Sequence, residues 1–381
     1  MKQPFAKKQI LIAAVVAGAF ATPAMADATI YGFVSAGVES AKATGSGTSE
    51  YKSRSRVTDQ NSRIGFKGNE DLGNGLKAIW QVEQSLRNFE QKGTNDKGET
   101  ATFATRNSFL GVESADFGKV LLGYYDTAYK SLTDVGLNAG SNTTADNAGS
   151  SSIYSRGESR LANSVHYFTP SFAGFKAGVS YGVDEARTEN SSGRTNTQRL
   201  SVAGNYTLGT LQVGAGWERQ YDKGDYKGAT TSKGDDTDFY KLAASYKFPT
   251  GTLIGAGYEW GRFDSTTGGS TLKQNDWTVM VSQEFGAAAV KLSYSELGGL
   301  KNAASGAEDD YKAKQWVLAG TYDLSKRTQL YAYATKIDNN KSQNVNFGIN
   351  PVYDSGLGTS SAALTKGNDP QAFGIGMKHT F

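Results

Sequence analysis

Cysteine is absent from all 381 residues, and histidine occurs only as His166 and His379. No disulfide can staple this fold, and a Cys-His nucleophilic pair or a His/Cys metal cluster has too few groups to draw on. Proline is also scarce, at 6 residues, while glycine reaches 46, tyrosine 20 and phenylalanine 18. That balance describes many strands, close backbone approaches and an aromatic surface. The chain also lacks an excess of one charge. Removing Lys2, Lys7 and Lys8 with the leader described next leaves 37 basic against 37 acidic residues, so charge gives no support to a nucleic-acid partner.

The only long apolar run lies at the N-terminus, where Lys2, Lys7 and Lys8 precede Ile10 to Phe20 and Ala24-Met25-Ala26 supplies small residues for cleavage. A membrane-spanning helix would need about 20 apolar residues, and Pro23 interrupts the run early. Residues 1–26 are therefore expected to be a cleaved signal peptide, and residues 27–381 the folded unit. A mean hydropathy of −0.48 looks soluble. A membrane barrel hides in that way, because only every second residue of a strand meets lipid.

Alternation of side-chain character predicts sixteen strands, near residues 29–39, 58–68, 75–86, 104–114, 118–124, 162–169, 174–183, 199–208, 210–220, 238–248, 252–262, 275–285, 288–297, 313–323, 327–337 and 371–381. The connections alternate between short turns and long polar segments at 40–57, 87–103, 125–161, 184–198, 221–237, 263–274, 298–312 and 338–370. One trimmed rim and one elaborated rim imply an all-β, 16-stranded antiparallel transmembrane β-barrel. A soluble two-sheet sandwich would have short connections at both ends. Phe175, Ala177, Val179 and Tyr181 alternate with Lys176, Gly178, Ser180 and Gly182, and the apolar set is assigned to lipid. Val290, Leu292 and Tyr294 oppose Lys291, Ser293 and Ser295 in the same way, as do Leu76, Ala78, Trp80 and Val82 against Lys77, Ile79, Gln81 and Glu83. Tyr124, Tyr258, Trp260, Trp277, Trp316, Tyr322 and Tyr331 fall near strand ends, where interfacial belts are expected.

Thr29-Ile30-Tyr31-Gly32, Ser62 to Gly68, Glu70 to Ala78, Arg106 to Gly111, Asn163-Ser164-Val165, Leu324 to Thr328 and the terminal His379-Thr380-Phe381 together resemble the Gram-negative general porins of the neisserial-type branch. The likeness runs in order through the whole mature chain. It implies sixteen strands, a homotrimer in outer-membrane lipid, a third loop folded into each pore, and Phe381 as an assembly signal. It also places wall charges at Arg63, Glu83, Arg106 and Arg160. Alternation agrees for Arg63 and Glu83, since Ile64, Phe66 and Val82 take the lipid side, but Arg106 shares parity with Leu110 and Val112. In one place the chain departs from the family: Gly123-Tyr124-Tyr125 stands where many relatives carry Gly-Arg, which removes one positive charge.

Residues 125–161 exceed a normal hairpin loop, and a loop of that length usually has a task. In a barrel of this width the lumen would otherwise be an open aqueous tube. Folding the loop inward would set Asp126, Asp134, Asp146 and Glu158 against Arg63, Arg106, Arg156 and Arg160, which together with Glu83 make a charged constriction. Each charge taken alone also reads as a solvated group in a wet lumen.

Enzymatic readings find little. An outer-membrane phospholipase needs a serine activated by a histidine, yet His379 lies two residues from the C-terminus and His166 sits in an ordinary strand pattern. Gly255-Ala256-Gly257 and Gly374-Ile375-Gly376 sit inside strands with no helix following, so they fail as dinucleotide loops. The expected function is a water-filled channel for passive diffusion of ions and small hydrophilic solutes, without cofactor or metal and leaning slightly toward anions. A substrate-specific channel, or an adhesin or receptor barrel acting through its outer loops, is the alternative.

Overall fold

The structure, a computed structural model, describes residues 27–45, 50–86, 103–183, 189–190, 193–223, 234–264, 270–352 and 364–381. The expected leader at 1–26 and most of the connection at 87–103 lie outside the described residues.

Seventeen hydrogen-bonded segments form one antiparallel sheet that closes on itself. Two of them, Tyr51–Asp59 and Arg63–Gly73, pair with successive stretches of the first strand and are halves of one strand. Sixteen strands result: β1 Asp27–Gly45, β2 in the two halves just given, β3 Leu76–Ser85, β4 Ser108–Ser114, β5 Gly118–Asp126, β6 Arg160–Phe168, β7 Phe175–Gly182, β8 Arg199–Leu208, β9 Leu211–Gln220, β10 Thr237–Lys247, β11 Thr252–Phe263, β12 Leu272–Phe285, β13 Ala288–Leu297, β14 Ala313–Asp323, β15 Thr328–Asn339 and β16 Asn368–Thr380. The barrel is sealed by β1 against β16, with Val38 opposite Ile375 and Phe33 opposite Thr380. Closure gives each strand a partner on both sides, which is what backbone polar groups require where no water can reach them.

Side chains divide by parity. Phe373 is 59% exposed, Ile375 55% and Leu318 52%, and they continue through Leu292, Val281 and Ile254 into an unbroken apolar band. In water such a band would be a severe liability; facing acyl chains it costs nothing. The opposite parity carries Ser180, Ser201, Glu218, Glu259, Thr278 and Ser295, all buried on the inner side. Trp277, Tyr294 and Trp316 pack along one rim, tilted to one another with ring centroids 5.2 and 4.5 Å apart, as an interfacial belt should. Tyr331 does not belong to that belt. It faces the lumen, buried, and its ring stacks on Tyr333 at 6.3 Å, because β15 places it on the inner parity.

Short turns close one rim. Gly209 (φ 59°) and Gly286 (φ 62°) open two-residue hairpins with no atom near an added Cβ, so left-handed backbone alone selects glycine there. At the other rim the expected connection at 40–57 proves much shorter. β1 runs to Gly45 and β2 starts at Tyr51, leaving 46–50 as the link. Ser40 to Thr44 and Ser53 to Thr58 extend the hairpin with mostly polar residues, among which only the small, buried Ala41 and Ala43 mark the inner face, too weak an apolar period to read.

β2 is interrupted at Gln60–Ser62, with Asn61 at φ 60°. The freed groups are met locally: Ser62 Oγ accepts from Ser35 N at 2.8 Å, and Gln60 N donates to Ser35 O at 2.9 Å. The break turns Gln60 inward, where Nε2 donates to Thr58 Oγ1 at 2.7 Å and to Tyr333 OH at 3.1 Å.

Candidate pore constriction

The chain leaves β5 at Asp126 and returns at β6 by way of a short helix, α1 (Ala128–Thr133). The first N–H groups of a helix have no internal partner. Here inner-wall serines supply them: Ala128 N donates to Ser180 Oγ and Tyr129 N to Ser201 Oγ, each at 2.8 Å. Gly216 makes the close approach possible, since a Cβ there would sit 3.0 Å from both Tyr129 and Thr133. Beyond the helix, Ser245 Oγ donates to Val135 O at 2.7 Å, Asn147 Nδ2 to Ser295 Oγ at 2.8 Å and Thr144 N to Gln60 Oε1 at 2.7 Å. On the way back Ser155 N donates to Asp276 Oδ1 and Gly157 N to Glu259 Oε1, both at 3.0 Å. Both ends meet at buried Glu218, which accepts from Thr127 Oγ1 at 2.8 Å and from Ser159 Oγ. The segment therefore lies against the inner wall along most of its length.

Between it and the wall of β2 to β6 lies a space of about 370 Å³ lined by Arg63, Arg106, Arg160, Lys130 and Lys241 together with Asp126, Asp134, Asp146 and Glu158. Most of these charges are paired. Arg106 Nε donates to Glu83 Oε1 at 2.6 Å, Arg160 Nε to Asp126 Oδ1 at 3.0 Å, Lys130 reaches the same Asp126 oxygen at 3.1 Å, and Lys241 meets Glu158 at 3.0 Å. Arg63 differs: Nη2 donates to Asn142 Oδ1 at 2.5 Å, its guanidinium stands 4.7 Å from the Phe33 ring, and Nε is buried without a partner. Asp146 is held by Asn138 Nδ2, by Asn142 N at 3.0 Å and by Ala148 N at 3.1 Å. Burial outweighs those hydrogen bonds and pushes its carboxyl up to about 6.

Of the residues singled out from the sequence, Arg63, Arg106, Asp126, Asp134, Asp146, Glu158 and Arg160 come together around this space. Glu83 lies behind Arg106 as its counter-ion. Arg156 turns to the wall, where Nη1 donates to Gln274 Oε1 at 2.8 Å. Arg106 escapes the alternation rule because β4 begins only at Ser108, and its backbone N donates to Glu83 O at 3.1 Å. Lys130, Lys241 and Asn142 were not anticipated. Lys241 was findable, since it stands on the inward parity between exposed Tyr240 and Leu242. Asn142 depends on the fold of the segment and has no local signal. His166 is enclosed between Ser164 Oγ and Ser180 Oγ, each 2.7 Å away, and its ring packs against Tyr125 and Phe168.

A second part of the chain reaches the same region. Gly348 and Ile349 line the far side of the neck with Ser152, Arg106 and Arg160, and Asn350 Nδ2 donates to Asp59 O at 2.8 Å. The described stretch 340–352 of the last long connection thus folds over the mouth.

A closed barrel with a lipid-facing apolar band, a polar interior and a charged neck defines an outer-membrane β-barrel of the channel-forming class. A family model described as Gram-negative porin matches residues 13–342, and the chain belongs to that family. It is 33% identical over 326 residues to the major outer membrane protein P.IB of Neisseria lactamica, covering 84% of this chain and 90% of that protein. The P.IB protein of Neisseria meningitidis serogroup A is 29% identical over 347 residues, with 88% and 95% covered. Among solved structures, an anion-selective porin from Comamonas acidovorans superposes with a TM-score of 0.69 at 22% identity, covering 93% of this chain and all of that one. OmpT of Vibrio cholerae gives 0.63 at 16% identity, covering 94% and 99%.

Proposed function

We propose that this protein is an outer-membrane porin through which ions and small hydrophilic solutes diffuse passively. The observation that carries this reading is the neck, where an inward-folded segment and the barrel wall present opposed charges around an aqueous space of about 370 Å³. Charges at a narrow, poorly polarisable neck act more strongly on a passing ion than they would in bulk water. Arg106 is offset by Glu83, Arg160 and Lys130 share Asp126, and Lys241 is offset by Glu158, which leaves Arg63 without an ion pair among the described residues, facing Asp134 and an Asp146 held toward its neutral form. The reading is therefore a modest preference for anions. Family and fold point to a channel and not to an enzyme. The leader at residues 1–26 fits export, and the barrel is expected to assemble as a homotrimer. Purified protein added to a planar lipid bilayer tests the proposal: stepwise conductance supports it, and a silent membrane does not.

A further inference from the structure

On the short-turn side of the neck, a second space of about 810 Å³ lies between the underside of α1 and the wall of β3 to β7. Its inward charges are ordered across the strands, Lys77 opposite Glu113 and Glu113 opposite Lys119, and β7 adds Lys176. One carboxylate against three ammonium groups leaves a net charge of +2, and none of these lysines is in an ion pair among the described residues. Like charges sharing one space repel, and a bound anion relieves that repulsion.

The same space is not uniformly polar. Lys119 Nζ stands 5.2 Å from the Phe168 ring centroid and 5.9 Å from that of Tyr125, and these two rings meet edge to face at 6.1 Å. Leu132 of α1 completes the apolar face. An inorganic anion would leave that face unused, a cation would be repelled, and an uncharged solute would leave the ammonium groups uncompensated. The volume suits a small organic molecule.

We propose that this vestibule is a binding station for flat organic anions, with an aromatic ring against Phe168 and Tyr125 and its carboxylates on Lys119 and Lys176. The inference rests on the channel reading, because such solutes would reach the station by way of the pore. Phe168 is buried with His166 stacked on it, so a ligand ring meets the accessible edges of Phe168 and Tyr125; that edge contact supplies selection by shape, and the two ammonium groups supply selection by charge.

The test is block of chloride current by benzene-1,2-dicarboxylate added on the short-turn side, compared with cyclohexane-1,2-dicarboxylate, which has equal charge but no flat ring. The aromatic dianion is expected to give half-block at a concentration about tenfold lower, and Lys119→Gln or Lys176→Gln to raise that concentration about tenfold. Phe168→Leu should erase the difference between the two dianions, while Lys291→Gln on the far wall leaves it intact. Each variant is read against its own unblocked current, so a variant that fails to fold is recognised. Equal half-block by both dianions, or no change in the Lys119→Gln/Lys176→Gln double variant, overturns the proposal. Calorimetric titration of the detergent-solubilised chain with benzene-1,2-dicarboxylate reads the same site without current. Heat of binding over a silent bilayer would sink the channel reading and keep the station; current with neither block nor heat would sink the station alone.

Discussion

The guanidinium of Arg63 donates to the side-chain oxygen of Asn142 at 2.5 Å, so the wall of β2 is joined to the inward segment through an amide and not through an ion pair. A carboxylate at that point would cancel the charge. An amide orients it and leaves its field in the neck, whereas Arg106 and Arg160 are each offset by an adjacent acid.

Arg63→Ala is accordingly expected to move the reversal potential in a salt gradient toward cation preference. Loss of about 1 kcal/mol of interaction with a passing anion corresponds to roughly a fivefold change in the anion-to-cation permeability ratio. Arg160→Ala should shift it in the same direction, because it leaves Asp126 with Lys130 as its one remaining ion-pair partner among the described residues. Unchanged reversal potentials in both variants would mean that these residues do not line the conducting path.

Asp146 gives the neck a pH dependence. Its folded pKa, about 6, is above the ordinary value of 3.8, so the buried neutral form is favoured. The stability that protonation contributes is fully present below about 3.8 and is lost as pH rises through about 6. Over the same window the neck gains a negative charge, so anion preference should weaken from pH 5 to pH 7. Reversal potentials recorded across that range should show the step in the parent protein and not in Asp146→Asn.

The two ends of the inward segment share Glu218, which makes the pair Thr127 and Ser159 a latch. Ser159→Ala removes one hydrogen bond to a buried carboxylate, at a cost of about 1–3 kcal/mol, and Thr127→Val removes the other together with the N-cap of α1, where Thr127 Oγ1 accepts from Lys130 N at 3.3 Å. Open-channel current noise should rise and the segment should be cut faster by protease. Quiet channels with parental protease resistance would show that the latch is redundant.

Phe381 follows β16 on the lipid-facing parity, 39% exposed, with its N–H donating to Gly32 O at 3.1 Å. If it serves assembly, Phe381→Ala lowers the amount of barrel in the outer membrane while the conductance of inserted molecules stays the same. Altered unit conductance with normal abundance would reverse that assignment.

Strand count and parity were legible because period-two alternation in lipid is strict: Val179 and Ser180 cannot exchange faces without stranding one of them. The extended hairpin of β1 and β2 was not legible, since beyond Ser40 the inner face carries only the small Ala41 and Ala43 while Ser40, Lys42 and Thr44 take the other parity, which leaves a weak period. Within the site, Arg63 and Glu83 could be oriented from their apolar neighbours, whereas Arg106 precedes its strand and obeys no alternation. Asn142 and the anchoring role of Glu259 needed the inward segment itself, because long-range contacts from an irregular loop leave no period in the sequence. Tyr331 resembled its belt neighbours only in residue type; its parity was the better guide.

The central claim is an open, water-filled bore narrowed by charge, and it is read most directly by purified protein in a planar bilayer under a potassium chloride gradient. The account predicts discrete conductance steps with a reversal potential displaced modestly to the anion side. Absence of steps at every salt concentration and voltage, or a reversal potential at the pure cation limit, would contradict it.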